Sequence, residues 1–147
     1  MGERAKLVGV NHVALEVGGI DDALDFYSEL FEFELRGRIG ERMAFLDIGD
    51  QFIALSAGDS TGPDVDRHFG LVVDDADAFR ATADAAGVEL GGMNGLDFQD
   101  PWGNNVQVVD YREVQFERTE PVRRRLGIDE IEKSAEARDE MAEKGLD

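Results

Sequence analysis

The chain has 147 residues, no cysteine, and a formal net charge of −18 that comes from 33 acidic and 15 basic residues. This length suits one compact domain or two small fused halves, and the absence of cysteine excludes disulfides, thiolate metal ligands and a cysteine nucleophile. Nucleic acid is a poor partner, because phosphate binding needs basic patches. No apolar run approaches the roughly 18–20 residues of a membrane helix, and the N-terminus lacks the apolar stretch of a signal peptide. We therefore expect a cytoplasmic protein without membrane contact.

The acidity has a particular composition, because aspartate is abundant and the lysines are only Lys6, Lys133 and Lys144. Such surfaces are typical of proteins adapted to high salt, where screening over about 3 Å at 1 M removes the repulsion between like charges. This pattern favours a halophilic protein over the alternative of an ordinary acidic one.

The first half of the chain predicts one strand, one helix and three further strands. Residues 8–17 alternate in polarity as a strand does, and Gly18-Gly19 end the run. Apolar residues then recur at spacings of three and four from Ile20 to Phe31, which predicts an amphipathic helix. Short strands are expected over residues 32–38, 42–48 and 51–56.

The same order repeats after a polar linker over residues 58–66. The repeat predicts a strand over residues 68–73, a helix over residues 74–86, and strands over residues 88–90, 96–99 and 105–111. His12 aligns with His68, and Ala54 aligns with Gln107. The expected fold is therefore α+β, with two tandem βαβββ modules that form a cupped, incomplete barrel and with helices on the outer faces.

The predicted organisation is a body over residues 1–111, with modules at about 7–57 and 67–111, followed by a tail over residues 112–147. The tail reads as a helix over residues 129–144 with a thin apolar stripe. A helix of this kind is marginal alone, so it must dock on its own body or on a second subunit. The basic run Arg123–Arg125 is expected to pair with acidic side chains rather than to recognise an anionic ligand.

The two histidines occupy equivalent positions in the first strand of each half. Strands related by a pseudo-twofold axis would direct both imidazoles into one cavity, where they are suitable ligands for Zn, Ni, Co, Fe or Mn. The alternative is that each is an ordinary hydrogen-bonded histidine. The same symmetry predicts further ligands at Ala54 and Gln107, but alanine cannot ligate and the glutamine amide is neutral.

Three stretches together resemble the vicinal oxygen chelate superfamily, which includes glyoxalase I, bleomycin- and fosfomycin-resistance proteins and extradiol dioxygenases. They are Val10–Val17 with the following Ala23–Phe33 region, His68–Asp75, and Phe98-x-Asp100-Pro101-Trp102-Gly103-Asn104-x-x-Gln107. The last is similar to the family's Asp-Pro-x-Gly-Asn-x-x-Glu motif. The resemblance covers residues 7–111.

The resemblance implies paired βαβββ modules, a metal in the cup, and a substrate bound through two neighbouring oxygens. It assigns metal ligands to His12, His68 and Gln107. The family's other glutamate falls on Ala54, and its general base falls on Gln107, which cannot take a proton. The catalytic residues are therefore not identified. Substrate contacts are expected at Trp102, Phe52 and Phe98.

Two functions remain open at this point. The leading one is a divalent-metal-dependent lyase, similar to lactoylglutathione lyase, or a related enzyme that polarises a carbonyl or a vicinal-oxygen substrate. The other is a metal-free protein that binds or sequesters a small molecule without turnover. The paired histidines favour the enzyme, whereas Ala54 and Gln107 favour the binding protein. A homodimer is expected in either case.

Overall fold

A computed structural model describes residue 10 and residues 12–58, 62–64 and 67–147. The beginning of the first predicted strand and part of the predicted linker lie outside these residues. No helix in the described ranges is both long and apolar enough to cross a membrane.

The first module has the predicted strand–helix–strand–strand–strand order. Its sheet has the strand order β1-β4-β3-β2, in which β1 and β4 are parallel and the other pairs are antiparallel. Its elements are β1 (His12–Val17), α1 (Ile20–Leu30), β2 (Glu34–Ile39), β3 (Met43–Asp47) and β4 (Phe52–Ala57).

The second module has one strand fewer than predicted. A three-stranded sheet has the order β5-β7-β6. Its elements are β5 (Phe69–Val73), α2 (Ala76–Ala85), β6 (Phe98–Gln99) and β7 (Asn105–Asp110). The prediction of a strand over residues 88–90 is wrong, because pairing is reduced to one bridge between Gly91 and Asp97. Gly92 then turns the chain at a φ of +79°, which ends the extended run.

The strand alternation decides which side of each sheet the helices cover. Leu15 and Val17 of β1 are buried, and Leu15 lies in register beside the buried Leu55 of β4. His12 and Ala14, on the opposite parity, are exposed. The two helices contact each other, and the rings of Phe31 and Phe79 stack with centroids 5.2 Å apart. The modules therefore share one core on the helical side, and no closed barrel forms.

A buried carboxylate joins the two modules. Asp100, only 4% exposed, accepts from the backbone N–H groups of Trp102 (3.0 Å) and Asn104 (2.9 Å) through Oδ1. Its Oδ2 accepts from the hydroxyl of Tyr27 on α1 (2.8 Å) and from Nδ2 of Asn104 (2.8 Å). Nδ2 of Asn104 also donates to the carbonyl of Glu16 on β1 (2.8 Å). The Asp-Pro-Trp-Gly-Asn turn of the second module is thereby fixed to the first.

The tail packs on its own body and contains two helices, α3 (Glu120–Leu126) and α4 (Ala135–Glu143). The predicted start at residue 129 is wrong, because α4 begins only after Ser134, whose hydroxyl caps the N–H of Ala137 (3.1 Å). Sequence reasoning also missed α3. Arg125 of α3 bonds Asp47 (2.9 Å), and this hydrogen bond holds the pKa of the Asp47 carboxyl below its ordinary value.

Other polar contacts of the tail reach the end of the body or lie within the tail itself. Lys133 is buried, and its Nζ donates to the carbonyl of Tyr111 (2.6 Å) and lies 3.4 Å from the centre of that ring. Arg123 and Arg124 face Glu117 and Glu120 at 3.7 and 3.9 Å. The basic run therefore pairs with acids, as its composition predicts.

Tyr27→Phe should destabilise the protein by about 2 kcal/mol, because it removes a buried hydrogen bond to a charged acceptor. Denaturant unfolding measures the loss. Ser28→Ala is the matched control, since this neighbouring hydroxyl is exposed and bonds only the carbonyl of Asp25, and we expect it to change stability by no more than about 0.5 kcal/mol. Equal stabilities of the two variants would show that the junction does not depend on Tyr27.

The stability of the wild type should fall faster than that of Tyr27→Phe above about pH 10. Burial, with the adjacent Asp100 carboxylate, raises the pKa of Tyr27, so the native state keeps a proton that the unfolded chain releases near its ordinary pKa. The stabilisation that protonated Tyr27 contributes is therefore fully present below that pH and is lost as the pH rises. Unfolding free energies of both proteins against pH measure the difference, and parallel curves would contradict it.

Candidate functional site

The open face of the first sheet carries His12 and Phe52, which lie in register on β1 and β4. Their rings stack with centroids 4.7 Å apart and an interplanar angle of 10°. The guanidinium of Arg36 lies 4.7 Å from the centre of the Phe52 ring. Phe52 therefore lies between groups that can recognise a planar or charged ligand, although contact with a substrate stays a prediction.

Sequence reasoning passed over Arg36. It sits where the pairing of β2 and β3 shifts, between Leu35 and Gly37. A bulge of this kind redirects a side chain, and the alternation of residues along the strand does not show it. Ala54, at the position equivalent to Gln107, is buried beside Ala14 in the register and offers no donor atom.

The second sheet brings His68 and Gln107 to one cavity. His68 lies immediately before β5, and Gln107 is exposed on β7, in register with Gly70. Both line a cavity of about 760 Å³ whose wall also includes Gln99, Asn105 and Phe98. His12 is not among its lining residues, so a single hollow that both imidazoles share stays a prediction.

The same wall carries two carboxylates, Glu89 and Asp97. Sequence reasoning missed both as site residues, because Glu89 and Asp97 lie in the two short segments, residues 88–90 and 96–99, that are predicted as strands. Within the described ranges, no group of three or more His, Asp or Glu residues could hold a metal ion. The cavity is therefore suited to hydrogen bonding, with one imidazole, several amides and two carboxylates.

The other two residues predicted to contact substrate, Phe98 and Trp102, pack against aromatic rings of the core. Phe98 is 4% exposed, and its ring lies 6.0 Å from Phe79 and 6.1 Å from Phe26. Trp102 is half-buried and packs edge-on against Phe26 at 6.4 Å. Phe98 forms part of the cavity wall, whereas Trp102 is outside the set of lining residues, and contact of either with a ligand stays a prediction.

Comparison with known proteins places this architecture in a family. Residues 9–108 match the model of the Glyoxalase/Bleomycin resistance protein/Dioxygenase superfamily. The chain belongs to this superfamily. The prediction from the three sequence stretches is confirmed.

Individual relatives are distant. The metallothiol transferase FosB of Shouchella clausii (strain KSM-K16) is 29% identical over 137 residues, which cover 77% of this chain and 90% of that protein. The lactoylglutathione lyase of Agrobacterium tumefaciens aligns with a TM-score of 0.59 and 20% identity, over 73% of this chain and 96% of its own.

A mutant of the fosfomycin resistance protein FosX from Listeria monocytogenes, in complex with Mn(II) and 1S,2S-dihydroxypropylphosphonic acid, aligns with a TM-score of 0.60 and 20% identity, over 70% of this chain and 90% of its own. At such identities the solved structures establish the fold alone.

Gly18→Ala should displace Trp102 and change its fluorescence. A Cβ at this position would lie 2.4 Å from Nε1 and 2.9 Å from Cδ1 of that indole, so the ring must move, at a cost of about 1–3 kcal/mol for an overpacked site. Because the chain has one tryptophan, its emission spectrum reports the movement directly.

Gly19→Ala is the matched control for this change. Its Cβ would meet nothing closer than Asp22 Oδ2 at 3.9 Å, so the emission should match that of the wild type. Unchanged emission in Gly18→Ala would show that the indole does not rest on this glycine.

Proposed function

We propose that the protein binds a small molecule in the cavity lined by His68 and Gln107, without a resident catalytic metal. The observation that supports this most strongly is the cavity itself. Its volume of about 760 Å³ is within the usual range of roughly 300–1,000 Å³ for small-molecule sites. Phe26 and Phe98 contribute apolar surface, while Gln99, Asn105 and Gln107 contribute amide donors and acceptors.

A divalent-metal-dependent lyase is the second candidate. His12 and His68 at equivalent positions favour it, and so do the names of the relatives, one a metallothiol transferase and another a lactoylglutathione lyase. In this candidate His12, His68 and Gln107 would hold Zn, Ni, Co, Fe or Mn. A metal supplies polarisation of a carbonyl or diol when bound.

The donor chemistry favours the metal-free candidate. The proposed ligands are two imidazoles and a neutral amide, without the carboxylate that tight catalytic sites usually include. The methyl group of Ala54 is buried where the repeat would place a fourth ligand. His12 stacks on Phe52 and is outside the lining of the cavity that His68 and Gln107 share. These residues do not fit a tightly held ion, and we therefore place the metal-free binding protein first and assign no reaction step to a metal.

The metal content of protein purified without chelator in molar salt separates the two candidates. We expect substoichiometric metal in the wild type and in His68→Ala alike, because the neutral donor set binds weakly. Gln107→Glu should bind added Mn(II) at least tenfold more tightly than the wild type, since it restores an anionic ligand. Stoichiometric metal in the wild type that is lost in His68→Ala would reject the binding protein in favour of the lyase.

Binding itself is measurable with benzyl alcohol, a neutral aromatic probe. We expect titration to shift the amide NMR signals of Gly92 and Gln107, which line the cavity, while the signals of α4 stay in place. A homodimer remains part of this proposal, because Leu35 and Ile39 on the edge strand β2 are each 49% exposed and leave apolar surface along this edge that a second copy could cover.

A further inference from the structure

The wall of the proposed ligand cavity carries an excess of acidic side chains. Glu89 and Asp97 are in its wall, and its lining, among the described residues, includes no lysine or arginine. A phosphonate or carboxylate placed there would find amide donors and the imidazole of His68, but no lysine or arginine from the described part of the chain to compensate its charge. A ligand with an ammonium, guanidinium or other donor group would instead find two carboxylates.

Asp97 has unused hydrogen-bonding capacity. Its Oδ1 is buried, and no described residue donates a hydrogen bond to it. Native proteins satisfy almost all buried polar atoms, so an unsatisfied carboxylate oxygen requires an explanation. Asp100, three residues later, shows the usual arrangement for a structural carboxylate, because its two oxygens accept from four donors.

The fold holds Asp97 in place at the cavity. Its backbone N–H donates to the carbonyl of Gly91 (3.0 Å), and its carbonyl accepts from the N–H of the same residue (2.8 Å). A Cβ on Gly92 would lie 2.1 Å from Oδ2 of Asp97, so a larger residue at position 92 would displace this carboxylate. Alternation along the strand puts Asp97 on the side of Gln99, which bonds Asn105 (2.9 Å). The backbone of Asp97 is thus held in place, and its side chain lies on the face that carries the cavity's amides.

We propose that Asp97 receives a positively charged or hydrogen-bond-donating group of the ligand, and that the cavity discriminates against anions. This rests on the proposed function, because it names the ligand class of the same cavity. Rotation of a carboxylate about χ2 is broad and shallow. A donor at the cavity wall therefore turns the free oxygen toward itself, and the ligand supplies the partner that the protein chain does not.

Three probes of matched shape test the charge preference: benzylammonium, benzyl alcohol and benzoate. We expect the amides of Gly92 and Gln107 to shift at a benzylammonium concentration at least tenfold lower than the alcohol requires, and benzoate to bind more weakly than the alcohol. Asp97→Asn should remove the preference for benzylammonium over the alcohol. Asp77→Asn is the control, because it removes the same charge from a side chain that is 95% exposed on α2, and it should retain the preference.

The outcomes separate this inference from the proposal on which it rests. Binding of all three probes with similar affinity, unchanged in Asp97→Asn, would overturn the role of Asp97 and leave the small-molecule cavity standing. Failure of every probe to shift the cavity amides would overturn both. Equal loss of preference in Asp97→Asn and Asp77→Asn would show an effect of net charge alone and would also overturn the inference.

Discussion

The relative position of the two modules depends on one buried carboxylate. Asp100 accepts hydrogen bonds from its own turn and from Tyr27 on α1. The side-chain amide of Asn104 donates both to Asp100 and to the carbonyl of Glu16. Gly103 has a φ of +88°, and a Cβ there would lie 2.4 Å from Cα of Pro63. The most conspicuous motif of the sequence therefore acts first as a structural junction, and the cavity lined by His68 and Gln107 lies on the sheet that this junction holds in place.

Much of the fold could be predicted because its signals are local. Alternating polarity marked β1, spacings of three and four marked α1, and the repeat transferred the same order to the second module. The absence of a strand at residues 88–90 could not be predicted. Whether these residues pair depends on the path that the chain takes after Gly91. The helix α3 was missed because its residues, from Glu120 to Leu126, are mostly charged and form no apolar stripe. Contacts with the body stabilise this helix instead.

The candidate site was predictable only where the repeat applied. Symmetry singled out His68 and Gln107, and the two residues line one cavity. It could not identify Arg36, which a bulge directs over Phe52, or Asp97, whose buried Oδ1 has no donor among the described residues. Both residues depart from the repeat, and departures of this kind distinguish a protein from others with the same fold.

The unequal strand number of the two modules has an evolutionary consequence. Where the first sheet has β2, the second has a glycine-rich segment with a single bridge, and the cavity opens beside it. Insertions or substitutions between residues 87 and 96 could thus reshape the wall of this cavity while the Asp100 junction and the shared aromatic core stay intact. A duplicated scaffold that leaves one copy incomplete can diversify its ligands on that side, because the complete copy continues to support folding.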